Sequence, residues 1–210
     1  MIETIVNAVQ LIVTALAAGF AAYRFVTSRH RAWLMFGFAS GVSFLSNLYW
    51  QLYLIFYGET PHFSYIPDVS WYASYVFLLM LMHEVRSVPL PVFTRPRSRL
   101  LWLVPVFTAG MGVFYMQWGD PIGNIIAAVL MCLLIWQSIN DLIALKDEVC
   151  KKKRLLYITV LIYCVSEYGA WTASCYWIGD TLLNPYIWFD ALLSVTFILL
   201  TIAVERAVRR

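Results

Sequence analysis

The chain has 210 residues, 61% of them hydrophobic and 13% charged, with a formal net charge of +3. A soluble domain carries about a quarter charged residues, so this composition excludes a soluble catalytic or DNA-binding domain, and so small a positive charge gives no footing for nucleic acid. A bilayer is crossed by about 20 apolar residues, and repeated stretches of that kind take up most of the sequence.

In chain order the predicted spans are 4–23, 33–57, 69–86, 100–118, 122–145, 155–178 and 185–206. The first carries small residues at four-residue spacing, Thr14, Ala18 and Ala22 beside Ala17 and Ala21, which lets a neighbouring backbone approach closely. No basic region precedes it, so it does not read as a cleaved signal peptide. Pro105 is expected to kink the fourth span, because proline removes a helical hydrogen bond. Gly119-Asp120-Pro121 reads as a tight turn before the fifth.

All 15 Lys and Arg fall between these spans or at their very ends, in four alternate segments. Arg24, Arg29 and Arg31 follow the first span, and Arg86, Arg95, Arg97 and Arg99 follow the third. Lys146, Lys151, Lys152, Lys153 and Arg154 follow the fifth, and Arg206, Arg209 and Arg210 follow the last. The intervening segments hold Glu3, Glu59, Asp68, Asp120 and Asp180 instead. Basic residues in short loops stay cytoplasmic. The predicted fold is therefore all-α: one polytopic domain, residues 1–210, of seven transmembrane helices with the N-terminus outside and the C-terminus inside.

Several chemistries are absent. No span contains a lysine, which removes a retinal Schiff base, and His30, His62 and His83 sit on loops or helix ends, away from any membrane haem. No HExxH, GxSxG, zinc spacing or CxxC occurs. Cys132 and Cys164 lie within spans and read as buried thiols. The sequence implies no catalytic residue, cofactor or metal.

Ionisable groups within a bilayer are costly and are functional candidates by default. Glu167 falls near the middle of the sixth span, and Asp190 about a turn and a half into the seventh. Asn47 and Gln51, one turn apart on the second, could face them, and Trp171 follows Glu167 by four residues on one helix face. Aromatics crowd the outer ends, as an interfacial belt would, but Trp50 and Trp171 lie about two turns deeper. With Trp71 and Trp188 these residues outline an outward-facing aromatic and acidic pocket for a cationic or aromatic small ligand. A structural polar network around Glu167 is the alternative. A second polar group, His83, Glu84, Gln137, Asn140 and Asp141, marks the cytoplasmic side. There Glu84 with Arg86, or Asp141 with Lys146, would form interfacial ion pairs.

An internal repeat is also readable. Ser46-Asn47, Trp50 and Gly58-Glu59-Thr60 match Ser166-Glu167, Trp171 and Gly179-Asp180-Thr181, and Trp71-Tyr72-Ala73 is echoed by Trp188-Phe189-Asp190-Ala191. Spans one to three run in the same direction as five to seven, so a parallel 3+1+3 duplication is allowed.

Asn47-Leu48-Tyr49-Trp50, Tyr53, Gly58-Glu59-Thr60-Pro61 and Pro67-Asp68-Val69-Ser70-Trp71-Tyr72 together resemble the multi-helix membrane sensor modules at the input end of bacterial histidine kinases and diguanylate cyclases. The resemblance covers about a quarter of the chain and implies a module that perceives a signal and passes it to an enzyme. With no enzyme following Arg210, it implies a separate protein partner, in the bilayer or at its cytoplasmic face. The expectation is a bacterial inner-membrane sensor or ligand-binding protein. A small-solute transporter of 3+1+3 architecture is the alternative, and an intramembrane lipid-modifying enzyme using His83, Glu84 and Asp141 is the third reading.

Overall fold

The computed structural model describes residues 2–58, 65–86, 98–144, 148–177, 179 and 181–209. Glu59, Thr60, Pro61, His62, Arg95, Arg97, Lys146, Asp180 and Arg210 lie outside the described residues. Those described form an all-helical bundle of α1 (Ile2–Ser28), α2 (Arg31–Tyr57), α3 (Tyr65–Val85), α4 (Leu103–Tyr115), α5 (Pro121–Ala144), α6 (Glu148–Tyr176) and α7 (Pro185–Val208). Four are long and apolar enough to cross a membrane: α1, α5, α7 and the stretch Lys152–Tyr176 of α6. Their outer faces carry exposed Leu16, Val129, Val165 and Val195, an apolar surface that suits lipid and would be costly in water.

Local chemistry sets the helix ends. Arg29, at φ 56°, turns the chain in the left-handed region after α1, and the His30 Nδ1 accepts from the Ala32 amide to start α2. Gly58, at φ 72°, closes α2 with its amide on the Leu54 carbonyl, a left-handed cap that favours glycine. Asp120 receives the Gly123 amide at 2.7 Å and opens α5, so the Gly-Asp-Pro turn is a capped helix start. Asn184 and Pro185 do the same for α7.

Pro105 corrects the sequence expectation. It stands in the first turn of α4, where its missing N–H costs little, and residues Arg99–Trp102 before it wind as a 3-10 turn. The irregularity precedes the proline and does not bend a helix at its middle.

The helices pack as a closed ring in the order α1, α2, α3, α5, α6, α7 and back to α1. α2 also touches α7 and α3 touches α6 across the centre, while α4 lies outside against α5. Of the small residues on α1, Thr14, Ala17 and Ala21 are the buried set; Ala22 is exposed. At Gly37 a Cβ would reach Ala21 at 3.5 Å, so α1 and α2 approach closely there. The core is lopsided along the axis. Trp33, Phe36, Leu81, Met82, Leu156, Tyr157, Leu200, Ala203 and Val204, all fully or almost fully buried, fill the half of the bundle that carries the basic residues. The other half is hollow.

Candidate functional site

The hollow half holds a cavity of about 1020 Å³, the upper end of what a small-molecule site needs. It opens among the start of α1 and the α4–α5 and α6–α7 connections, and reaches down to Ser43, Glu167 and Phe197 in mid-bundle. Six of the eight sequence candidates line it: Asn47, Trp50, Trp71, Glu167, Trp171 and Asp190. Two do not. Gln51 is buried against α1, where its amide donates to the Thr4 carbonyl at 3.3 Å. Trp188 is 62% exposed on the outside of α7, its indole N–H donating to the Leu182 carbonyl at 2.8 Å.

Each carboxyl has its own setting. Glu167 is hydrogen-bonded by Tyr163, one turn earlier on α6, and faced by the Tyr75 hydroxyl of α3. Tyr163 also bonds Ser74, and Ser74 meets Ser43 at 3.0 Å, so one polar chain ties α2, α3 and α6 beneath the cavity. Asp190 is 5% exposed and hydrogen-bonded by Gln10. Its Oδ2 has no hydrogen-bond partner, and neither has the buried amide nitrogen of Asn7, one turn before Gln10 on α1. Glu3 stands close enough to Asp190 to repel it. A buried polar atom left unpaired is uncommon in a folded protein, and here the Asp190 and Asn7 atoms both belong to residues that line the cavity.

Nearer the mouth, Asp68 in the first turn of α3 faces Asp120 of the α4–α5 turn. Loss of hydration on burial raises the Asp68 carboxyl to about 6, and the Asp120 charge adds to the rise. The walls are aromatic. Trp50 and Trp71 pair at 6.2 Å between ring centroids, and Tyr115 meets Trp171 edge-on at 5.7 Å. The Tyr115 hydroxyl binds the Tyr168 carbonyl and the Thr172 hydroxyl, which fastens α4 to α6 along this wall. Among the described lining residues five are acids, namely Glu3, Asp68, Asp120, Glu167 and Asp190, and none is Lys, Arg or His.

The α1 contribution was not among the sequence candidates. Its signal was present: Glu3, Asn7, Gln10 and Thr14 follow one another at steps of four, three and four, a single helix face, and all but Thr14 line the cavity.

The second predicted cluster divides. Gln137, Asn140 and Asp141 are buried on α5, whereas His83 is exposed, so the set does not converge on one spot. Asp141 takes a bidentate ion pair from Arg86 at 2.9 and 3.0 Å, in place of the Glu84–Arg86 pairing expected from neighbourhood in sequence. Among the described residues no group of three or more His, Cys, Asp or Glu could hold a metal. No family model, curated relative or solved structure matches the chain.

Proposed function

We propose that the protein is a seven-helix integral membrane protein of the bacterial inner membrane that binds an organic cation in this cavity. The carrying observation is electrostatic: five carboxyl groups and no basic side chain among the described lining residues, with one oxygen of the buried Asp190 unpartnered. In low dielectric a cluster of acids attracts a counter-charge more strongly than it would in water, and Trp50, Trp71 and Trp171 offer ring faces for cation–π contact. An ammonium ligand meets both needs at once.

The same distribution supports an N-out topology, with the acidic mouth outside and the basic end cytoplasmic. α2 and α3 have spanning length, and Arg99–Tyr115, about 27 Å with its opening 3-10 turn, comes close to it. The likeness to sensor modules gives the use: an occupied cavity read by a separate protein partner. The enzyme reading loses support, because Asp141 is engaged by Arg86 and His83 points elsewhere.

A parallel 3+1+3 repeat is part of the proposal. Exchanging α1 with α5, α2 with α6 and α3 with α7 maps every contact of the ring onto another: α1–α2 onto α5–α6, α2–α3 onto α6–α7, α1–α7 onto α5–α3, and α2–α7 onto α6–α3. Asn47 and Glu167 then correspond, Trp50 and Trp171 match to within one residue, and all four line the cavity. The echo of Trp71 by Trp188 does not extend to which way they face.

Tryptophan fluorescence titration with tetraethylammonium in detergent tests the cation site. Saturable binding is expected, weakened about ten- to a hundredfold by Glu167→Gln, the scale of losing a hydrogen bond or charge contact to an ionised group, and weakened by Trp171→Ala. Trp188→Ala should leave it unchanged. Absence of saturable binding, or equal binding by Glu167→Gln in a folded protein, overturns the reading.

A further inference from the structure

The geometry points to a transport activity resting on the cation-site reading: the cavity is the open side of an alternating-access carrier, and two ion pairs form its closed gate. The cavity lies between two groups of helices, α1–α3 on one side and α5–α7 on the other. These groups meet along two seams that close the ring, α1 against α7 and α3 against α5, and touch more lightly across the centre at α2–α7 and α3–α6. At the basic end an ion pair among the described residues bridges each seam. Arg24 of α1 reaches Glu205 of α7 at 2.8 Å, and Arg86 at the end of α3 reaches Asp141 of α5 at 2.9 Å.

The helix exchange described above turns one of these pairs into the other. It carries the α1–α7 pair onto the α5–α3 pair, with acid and base traded. A receptor that never opens at this end has no need of a matched lock on both seams. A carrier does, because rocking one half against the other must part both seams together. Ion pairs suit a gate: they hold strongly while dry, and each partner is rehydrated once the seam opens. Below the cavity floor Trp33, Met82 and Leu200 pack as an apolar plug. The substrate class is an organic cation small enough for the cavity, entering at the acidic mouth.

The reporter for the gate is Ser138. It is fully buried on α5, one turn inside Asp141, and its hydroxyl faces the Met82 sulfur across the α3–α5 seam at 3.4 Å. With Cys132, Cys150, Cys164 and Cys175 replaced, Ser138→Cys is nearly isosteric. Inverted membrane vesicles present the basic end to an impermeant methanethiosulfonate reagent, and proteoliposomes measure uptake of radiolabelled tetraethylammonium. Expected are saturable uptake, counterflow exchange, slow labelling of Ser138→Cys at rest, and labelling at least about tenfold faster when Asp141→Asn breaks the pair. The swapped pair Arg86→Asp with Asp141→Arg should return labelling toward the resting rate, which misfolding would not.

Saturable tetraethylammonium binding without uptake overturns the transport inference and leaves the cation site standing. Uptake with labelling indifferent to Asp141→Asn overturns the gate. No binding at all removes the cation site, and this inference with it.

Discussion

The Arg86–Asp141 pair offers the sharpest energetic test of the fold. Its side chains are 5% and 10% exposed, and the contact is bidentate, so both charges have lost most of their water and depend on each other. Arg86→Met leaves the buried Asp141 carboxylate without its guanidinium, and Asp141→Leu strands a guanidinium whose Nη1 already lacks a partner. Each single change should cost about 3–5 kcal/mol, whereas replacing both with Met and Leu should lie within about 1 kcal/mol of wild type or above it. The Arg24–Glu205 pair is the internal comparison. At 32% and 18% exposure it is partly screened, and breaking it should cost about 1 kcal/mol. Reversible unfolding in mixed micelles of increasing sodium dodecyl sulfate fraction measures all the variants. If the two single costs simply add in the double variant, the pair is not mutually dependent and the burial argument is wrong.

Other outcomes follow from single sites. The carboxyl of Asp68, raised from 3.8 to about 6, keeps a proton that the unfolded chain releases, so stability should fall as pH rises from about 4 to about 6 and level off above. Asp68→Asn should flatten that slope, by less than about 1 kcal/mol because the group is half-exposed and screened; a pH series of micelle unfolding curves checks it. At Gly169 a Cβ would run into the Phe189 ring, so Gly169→Ala should destabilise by about 1–3 kcal/mol, and Phe189→Ala in the same chain should relieve part of that cost. Cysteine at Asp120 should react with an impermeant reagent in intact cells while cysteine at Ser98 stays silent; labelling at Ser98 would sink the N-out topology.

The helices themselves were legible because apolar length is a one-dimensional property. Spans such as 33–57 and 185–206 match α2 and α7 within a few residues, and Gly-Asp-Pro marked the α5 start because its capping chemistry is local. Which face of a helix looks inward is not local. Trp171 and Trp188 both follow an acid-bearing region and both lie near helix ends, yet one lines the cavity and the other points out. Gln51 follows Asn47 by one turn, but its amide is drawn off to the α1 backbone. The Arg86 partner was missed for the same reason: Glu84 is its neighbour in sequence, and Asp141 is 55 residues away, joined only by the α3–α5 packing. The polar face of α1 is the instructive miss, since the steps from Glu3 to Asn7, Gln10 and Thr14 needed only a helical wheel to expose.

One pattern carried two meanings, and only the structure separates them. The absence of Lys and Arg from alternate segments reads, in sequence, as topology. In three dimensions those same segments converge on the mouth of a cavity, so the asymmetry also deprives five carboxyl groups of any basic neighbour among the described lining residues. Topology requires the cytoplasmic loops to be basic but does not require acids on the other side, because Asp and Glu contribute little to orientation. Glu3 and Asp68 stand in the first turns of α1 and α3 and Asp120 caps α5, so helix-start chemistry brings all three to the cavity that Glu167 and Asp190 also line. Placing like charges together in a partly dry cleft costs folding energy unless some of them take up protons, as the raised Asp68 carboxyl does; on the cation-site proposal, a bound cation offsets the remainder.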